Sequence, residues 1–189
     1  MLAYGRSEEA QPQRRVVALH MLVGDVGDLL GLDGSGPIEW VNAVDSRLEI
    51  HADPDQLLRV LLNLCRNAVQ ALESSRDPAL VRRLSVTAEK AGDVIVIQVS
   101  DTGPGVPARA REKLFQAFQG SARAGGTGLG LAIAAELTRA HGGTIALIEN
   151  GPGATFEVRL PLRGGARRTN GTHNGKVRVD AAPRDAGPA

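Results

Sequence analysis

The chain has 189 residues, of which 42% are hydrophobic and only 3% aromatic. That length suits one domain with tails, and its core must be built from Leu, Val, Ile and Ala. A net charge of +1 gives no electrostatic case for a nucleic-acid or membrane surface. The single cysteine, Cys65, excludes an intrachain disulfide and a cysteine-based zinc cluster. No apolar run reaches the roughly 18 residues of a membrane span, and there is no signal peptide, so the expectation is a soluble, cytoplasmic chain.

Residues 1–15 are polar and without a clear period. Val16, Leu19, Leu22, Val23, Val26, Leu29 and Leu30 recur at helical spacing and predict an amphipathic helix from about residue 18. Gly31, Gly34, Gly36 and Pro37 end it. Ile38 to Val41 and Leu48 to Ile50 read as two short strands around a polar turn at Asp45 and Ser46. Asp53 is a good N-cap and Pro54 suits the first helical position, where a missing N–H costs nothing. Leu57, Leu61, Leu64, Ala68 and Leu72 then make one apolar stripe, and Cys65 falls in its margin as a buried, inert thiol.

Arg82 to Lys90 and Asp93 to Ser100 predict a hairpin across Ala91 and Gly92, and the second strand is apolar enough to be central. Residues 101–127 are loop-rich, with a short helix near 108–118. Gly128 opens a helix to about Ala140, with Gly142 as its C-cap. Thr144 to Ile148 and Thr155 to Leu160 predict a closing hairpin. From Arg163 the apolar residues thin out, so 163–189 reads as a disordered tail.

Four places could carry chemistry. Asn63 and Asn67 lie four apart on one helix face. They read either as a solvated polar face or as a carboxamide pair for a hard cation and phosphate oxygens. Asp101-Thr102-Gly103-Pro104-Gly105 is either a turn or a strand-end carboxylate under a flat ring that the glycines let approach. Gly126-Thr127-Gly128-Leu129-Gly130 runs into a helix, either as a hinge or as a phosphate cradle. It lacks the Gly-Lys-Ser/Thr ending of a Walker loop and the spacing of a dinucleotide fingerprint. Arg123 is the nearest cation to such a cradle. His20, His51, His141 and His173 have neither metal spacing nor an activating carboxylate and read as structural, His141 at a helix end that favours a cation.

In this order the pieces resemble a known family. Asp53 to Leu72 with Asn63 and Asn67 resembles the N box of histidine kinases, and Asp101-x-Gly103-x-Gly105 their G1 box. Leu114 to Phe118 resembles the F box, and Gly126 to Leu131 the G2 box. Ala140 to Thr144 and Gly153 to Phe156 look like the closing strands, so the resemblance spans residues 16–162. It implies an α+β Bergerat (GHKL) fold: a two-layer sandwich of a mixed, mostly antiparallel sheet on about three helices, with an ATP lid at 106–125. It implies ATP and Mg²⁺ as cofactors. Asp101 would read the adenine amino group, Asn67 hold the metal, and Asn63 position the phosphates. Gly103 and Gly105 would admit the ring, while Gly126, Thr127, Gly128, Leu129, Gly130 and Arg123 would surround the phosphates. Thr155 would support the adenine site.

The resemblance further implies transfer to a histidine rather than to water, because gyrase-type and mismatch-repair ATPases carry Glu where Asn63 stands. A GHKL-type ATPase and a module that merely holds nucleotide are the alternatives. Many members have a basic residue where Gln70 stands, and no acceptor-histidine box is present. Residues 1–15 look like the end of a dimerisation helix and its linker. The implied partners are therefore a dimerisation and histidine-phosphotransfer hairpin outside this chain and a response regulator receiver domain, with no nucleic acid and no membrane contact by this segment.

Overall fold

The structure is a computed structural model that describes residues 11–117, 128–148, 151 and 153–162. Of the expected features, Phe118, Arg123, Gly126, Thr127, residues 1–10, residues 118–125 of the lid and the 163–189 tail lie outside the described residues.

The chain enters at β1 (Arg15–Ala18) and turns at once into helix α1 (Leu19–Leu29). The helical period of 16–30 conceals that strand. Val16 and Val17 are β-branched, and their partners are distant in sequence: β1 pairs antiparallel with β3 (Glu49–Ala52), Val16 opposite His51 and Val17 opposite Ile50. Strand β2 (Glu39–Asn42) is not the hairpin partner of β3 that the polar turn suggests. It pairs in parallel with β4 (Arg83–Ala91), Trp40 opposite Leu84, and the Ala43 amide extends the ladder to the Val86 carbonyl. The Asn42 side chain holds the divergence, donating to the His20 carbonyl at 2.9 Å and accepting from the Val44 amide at 3.3 Å.

Helix α2 (Pro54–Ser74) starts as its sequence dictates. The Asp53 carboxylate accepts from the amides of Asp55 and Gln56, both at 3.1 Å, and Pro54 follows it. Eight residues from Leu57 to Leu72 are buried along one face. Full burial of a leucine such as Leu61 or Leu64 contributes about 1.5–3 kcal/mol, so this stripe anchors the helix layer. At the far end the Arg82 guanidinium donates to the carbonyls of Leu72 and Ser75, at 3.1 and 3.2 Å.

Strand β5 (Val94–Asp101) pairs with β4 and, on its other edge, with β7 (Thr155–Pro161), which pairs with β6 (Thr144–Ile148). The five-stranded order is β2-β4-β5-β7-β6, antiparallel except for the first pair, with β5 central as its apolar run predicts. Ile95, Ile97 and Val99 of β5 and Phe156, Val158 and Leu160 of β7 turn one face toward α1, α2 and α4 (Gly130–Ala140). The expected helix near 108–118 is shorter: α3 covers Ala108–Arg111 and gives way to turns. Helix α4 begins at Gly130, two residues beyond Gly128, and stops where Gly142 takes φ 74°. The two-layer α+β arrangement expected from the sequence is the one present.

Candidate functional site

Three of the four predicted places converge. The middle of α2, the start of α4 and the end of β5 border one region, because α2 packs on both α4 and β5. Asn63 and Asn67 are half-buried on the face of α2 toward α4. A Cβ on Gly130 would stand 3.3 Å from Asn63 Oδ1, so the first residue of α4 rests directly on that carboxamide. Gly128 takes φ 67°, a left-handed turn that lets the chain enter α4 beside Asn63, and Leu129 is its N-cap residue without a side-chain cap. The first amides of α4 are therefore open to an acceptor from outside the helix.

Asn67 is the informative residue. Its Nδ2 is buried and has no hydrogen-bond partner among the described residues. A buried donor without an acceptor costs roughly 1–3 kcal/mol, so a carboxamide kept in this state fits a site completed by a polar ligand. A phosphate oxygen supplies such an acceptor, and a carboxamide oxygen is an ordinary ligand for Mg²⁺. Among the described residues no cluster of three His, Cys, Asp or Glu could hold a metal instead.

Asp101 ends β5, and its side chain is 8% exposed. Its Oδ1 accepts from the Gly103 amide at 2.8 Å and is 3.5 Å from the Ala154 amide, so one carboxylate oxygen is fixed by the two segments flanking it. A Cβ on Gly103 would meet that Oδ1 at 2.8 Å and Ala71 of α2 at 3.5 Å, which accounts for glycine there. Gly105 takes φ 71° and turns the loop away. Thr102, unremarked in the sequence, ties this loop to the sheet. Its hydroxyl donates to the Val81 carbonyl at 2.6 Å and accepts from the Arg83 amide at 2.9 Å. Of the F-box residues, Leu114 is buried and the Phe115 ring lies edge-on to Phe156 at 6.3 Å.

Thr155 is placed otherwise than expected. It lies opposite Ser100, so alternation along β5 turns it to the sheet face away from Asp101. Its hydroxyl lies 3.0 Å from Ser100 Oγ. Ala154, one residue earlier, takes that side through its backbone, a role no side-chain pattern could reveal.

Of the described histidines, His20 lies on α1, His51 on β3 and His141 at the end of α4, while His173 lies outside the described residues. His141 is 3% exposed at the end of α4. Its Nε2 accepts from the Asp53 amide at 3.1 Å and its Nδ1 donates to the Leu137 carbonyl at 2.8 Å, which fixes a neutral tautomer. Burial pushes its pKa down, against the expectation of a helix-end cation. Cys65 is buried, and burial pushes its thiol up to about 12.

The family model for histidine kinase-, DNA gyrase B-, and HSP90-like ATPases matches residues 52–164. The sensor histidine kinase ZraS of Escherichia coli K12 is 40% identical over 121 residues, covering 64% of this chain and 24% of that protein. This chain thus spans about a quarter of that relative's length. The crystal structure of full-length ShkA in complex with AMPPNP superposes with a TM-score of 0.67 at 33% identity, covering 82% of this chain and 32% of that one. The histidine kinase ThkA in complex with the response regulator protein TrrA superposes with a TM-score of 0.68 at 25% identity, covering 85% of this chain and 45% of that one. The chain belongs to the histidine kinase-, DNA gyrase B- and HSP90-like ATPase family, within which it is a catalytic ATP-binding domain of the sensor-histidine-kinase kind.

Proposed function

We propose that this domain binds ATP with Mg²⁺ in the cytoplasm and donates the γ-phosphoryl to a histidine outside this chain, on a dimerisation hairpin. A receiver aspartate of a response regulator then takes the phosphoryl. The observation that carries the reading is the meeting of the Asn63–Asn67 face with the open start of α4 at one end and the braced Asp101 carboxylate at the other.

Asp101 accepts a hydrogen bond from the adenine amino group, and Gly103 leaves room for the ring to lie over Ala71. The amides at Gly128, Leu129 and Gly130 serve the phosphates, and the resemblance assigns Gly126, Thr127 and Arg123, which lie outside the described residues, to the same group. Asn67 contributes its carboxamide to the metal and Asn63 orients the phosphate chain. Mg²⁺, when bound through Asn67, would supply neutralisation of part of the triphosphate charge. The neutral acceptor imidazole forms the new N–P bond as the bond from Pγ to the β–γ bridging oxygen breaks, and ADP leaves. Asn63 cannot take a proton from water, so hydrolysis has no general base at that position.

The test supplies an acceptor hairpin from a sensor histidine kinase, together with labelled ATP. Acid-labile, base-stable label on the hairpin is expected, with none on this chain alone. Steady release of free phosphate without protein label would replace the kinase reading with an ATPase. ATP binding with neither reaction, across several hairpins, would leave a nucleotide-holding module.

A further inference from the structure

Gly153 stands just before β7, and the backbone that follows it closes on Asp101. The Asp101 amide donates to the Ala154 carbonyl at 2.9 Å, and the Ala154 amide is 3.5 Å from Asp101 Oδ1. A Cβ at Gly153 would overlap the Asp101 carbonyl oxygen, stand 2.6 Å from its carbon and 3.1 Å from Thr102 Cα. All three are backbone atoms, so no rotamer change relieves the overlap. A Cβ at Gly151, two residues earlier, would meet nothing within 4 Å among the described residues. The requirement for glycine is therefore specific to the position that touches the carboxylate-bearing residue.

We propose that Gly153 is a positioning residue for base selection: its bare Cα lets the start of β7 seat Asp101 where the carboxylate distinguishes adenine from guanine. The inference rests on the reading that Asp101 receives the adenine amino group. A side chain at 153 pushes the end of β5 and the Thr102–Gly103 turn outward. The carboxylate then moves while the Asn63, Asn67 and α4 groups stay in place. Recognition of the base is lost and grip on the triphosphate is kept.

Calorimetry with ATP and with GTP, both with Mg²⁺, tests this on the wild-type chain, Gly153→Ala, Gly151→Ala, Asp101→Asn and the double variant Asp101→Asn/Gly153→Ala. Wild type and Gly151→Ala should prefer ATP. Gly153→Ala should lose about tenfold or more in ATP affinity with little change for GTP, the scale of one charged hydrogen bond. The double variant should bind ATP no more weakly than Asp101→Asn, because both changes remove one interaction. A purely structural glycine would lower both affinities together and leave their ratio intact, which would overturn the proposal. If Gly153→Ala does not fold, backbone NMR of the wild type decides. The Gly153 amide should shift with ADP and stay still with Mg²⁺ and inorganic triphosphate; equal response to both, or none to ADP, would overturn it. A wild type without preference for ATP would refute the reading of Asp101 itself, a different result from a preference that survives at Gly153→Ala.

Discussion

The Nε2 of His141 accepts the backbone N–H of Asp53 at 3.1 Å, joining the C-terminal end of α4 to the N-cap of α2. The two helices that frame the proposed nucleotide site, α2 and α4, are thus bound at the end away from it. The Asp53 carboxylate also accepts from the Gln13 amide at 2.8 Å, so the segment entering β1 is tied to the same point.

This contact makes stability depend on pH. The His141 pKa is lowered by burial and by Arg14, with the hydrogen bond to Leu137 and the Asp53 charge acting in the opposite sense. Below the ordinary value of 6.5 the unfolded chain takes up a proton that the folded chain still excludes. Stability from this group is complete above that pH and falls as the pH drops through the folded value. Urea midpoints should decline between pH 7.5 and 5. His141→Gln should be less stable at pH 7.5, by about 1–2 kcal/mol, with a flatter acid slope. An unchanged slope would remove His141 from the account.

Asp53 acts lower on the scale. Burial works to raise its pKa, and amide donors from Gln56, Gln13 and Asp55 outweigh it, leaving the carboxyl below 3.8. Its contribution is present above that value and is lost as pH falls through the folded one. Asp53→Ala should cost about 1 kcal/mol at neutral pH through the lost N-cap. Asp53→Asn should recover much of it in thermal unfolding, since an amide oxygen still caps the helix.

Asp101→Asn exchanges a charged acceptor for a mixed amide. ATP affinity should fall roughly 10- to 100-fold, given about 1.5–3 kcal/mol for a hydrogen bond to a charged group. GTP should bind wild type far more weakly, because its C6 carbonyl offers no donor. Equal calorimetric affinities for ATP and GTP in the wild type would contradict the assignment.

Asn67→Ala should weaken ATP binding more with Mg²⁺ than in EDTA, because one oxygen ligand of an octahedral cation is gone. It should cost little in folding stability, since the carboxamide Nδ2 makes no hydrogen bond among the described residues. Equal losses with and without Mg²⁺ would reduce Asn67 to a phosphate contact or a surface amide.

Arg82→Ala should destabilise the domain by about 1–2 kcal/mol, because two carbonyls at the end of α2 lose a charged donor. Chemical unfolding should report this, while the ATP affinity of the folded fraction stays near wild type. A large loss of affinity without loss of stability would place Arg82 in the site.

What the sequence determined by itself is local. Asp53 and Pro54 start α2 by capping and fixed φ, the leucine stripe orients it, and Gly142 ends α4 in a conformation glycine tolerates. These signals act within a few residues, so spacing displays them, as it does the Asn63–Asn67 pair. The tertiary structure decided what depends on distant backbone. Strand β1 is invisible without β3, and β2 pairs with β4, distant in sequence, rather than with the nearer β3. Thr155 faces Ser100 because a register set across two strands, rather than a motif, decides which side of a sheet a residue occupies. The seat of Asp101 between Gly103 and Ala154, and the neutral His141 at the N-cap of α2, arise from amides and carbonyls that every residue carries. Only the fold determines which of them meet.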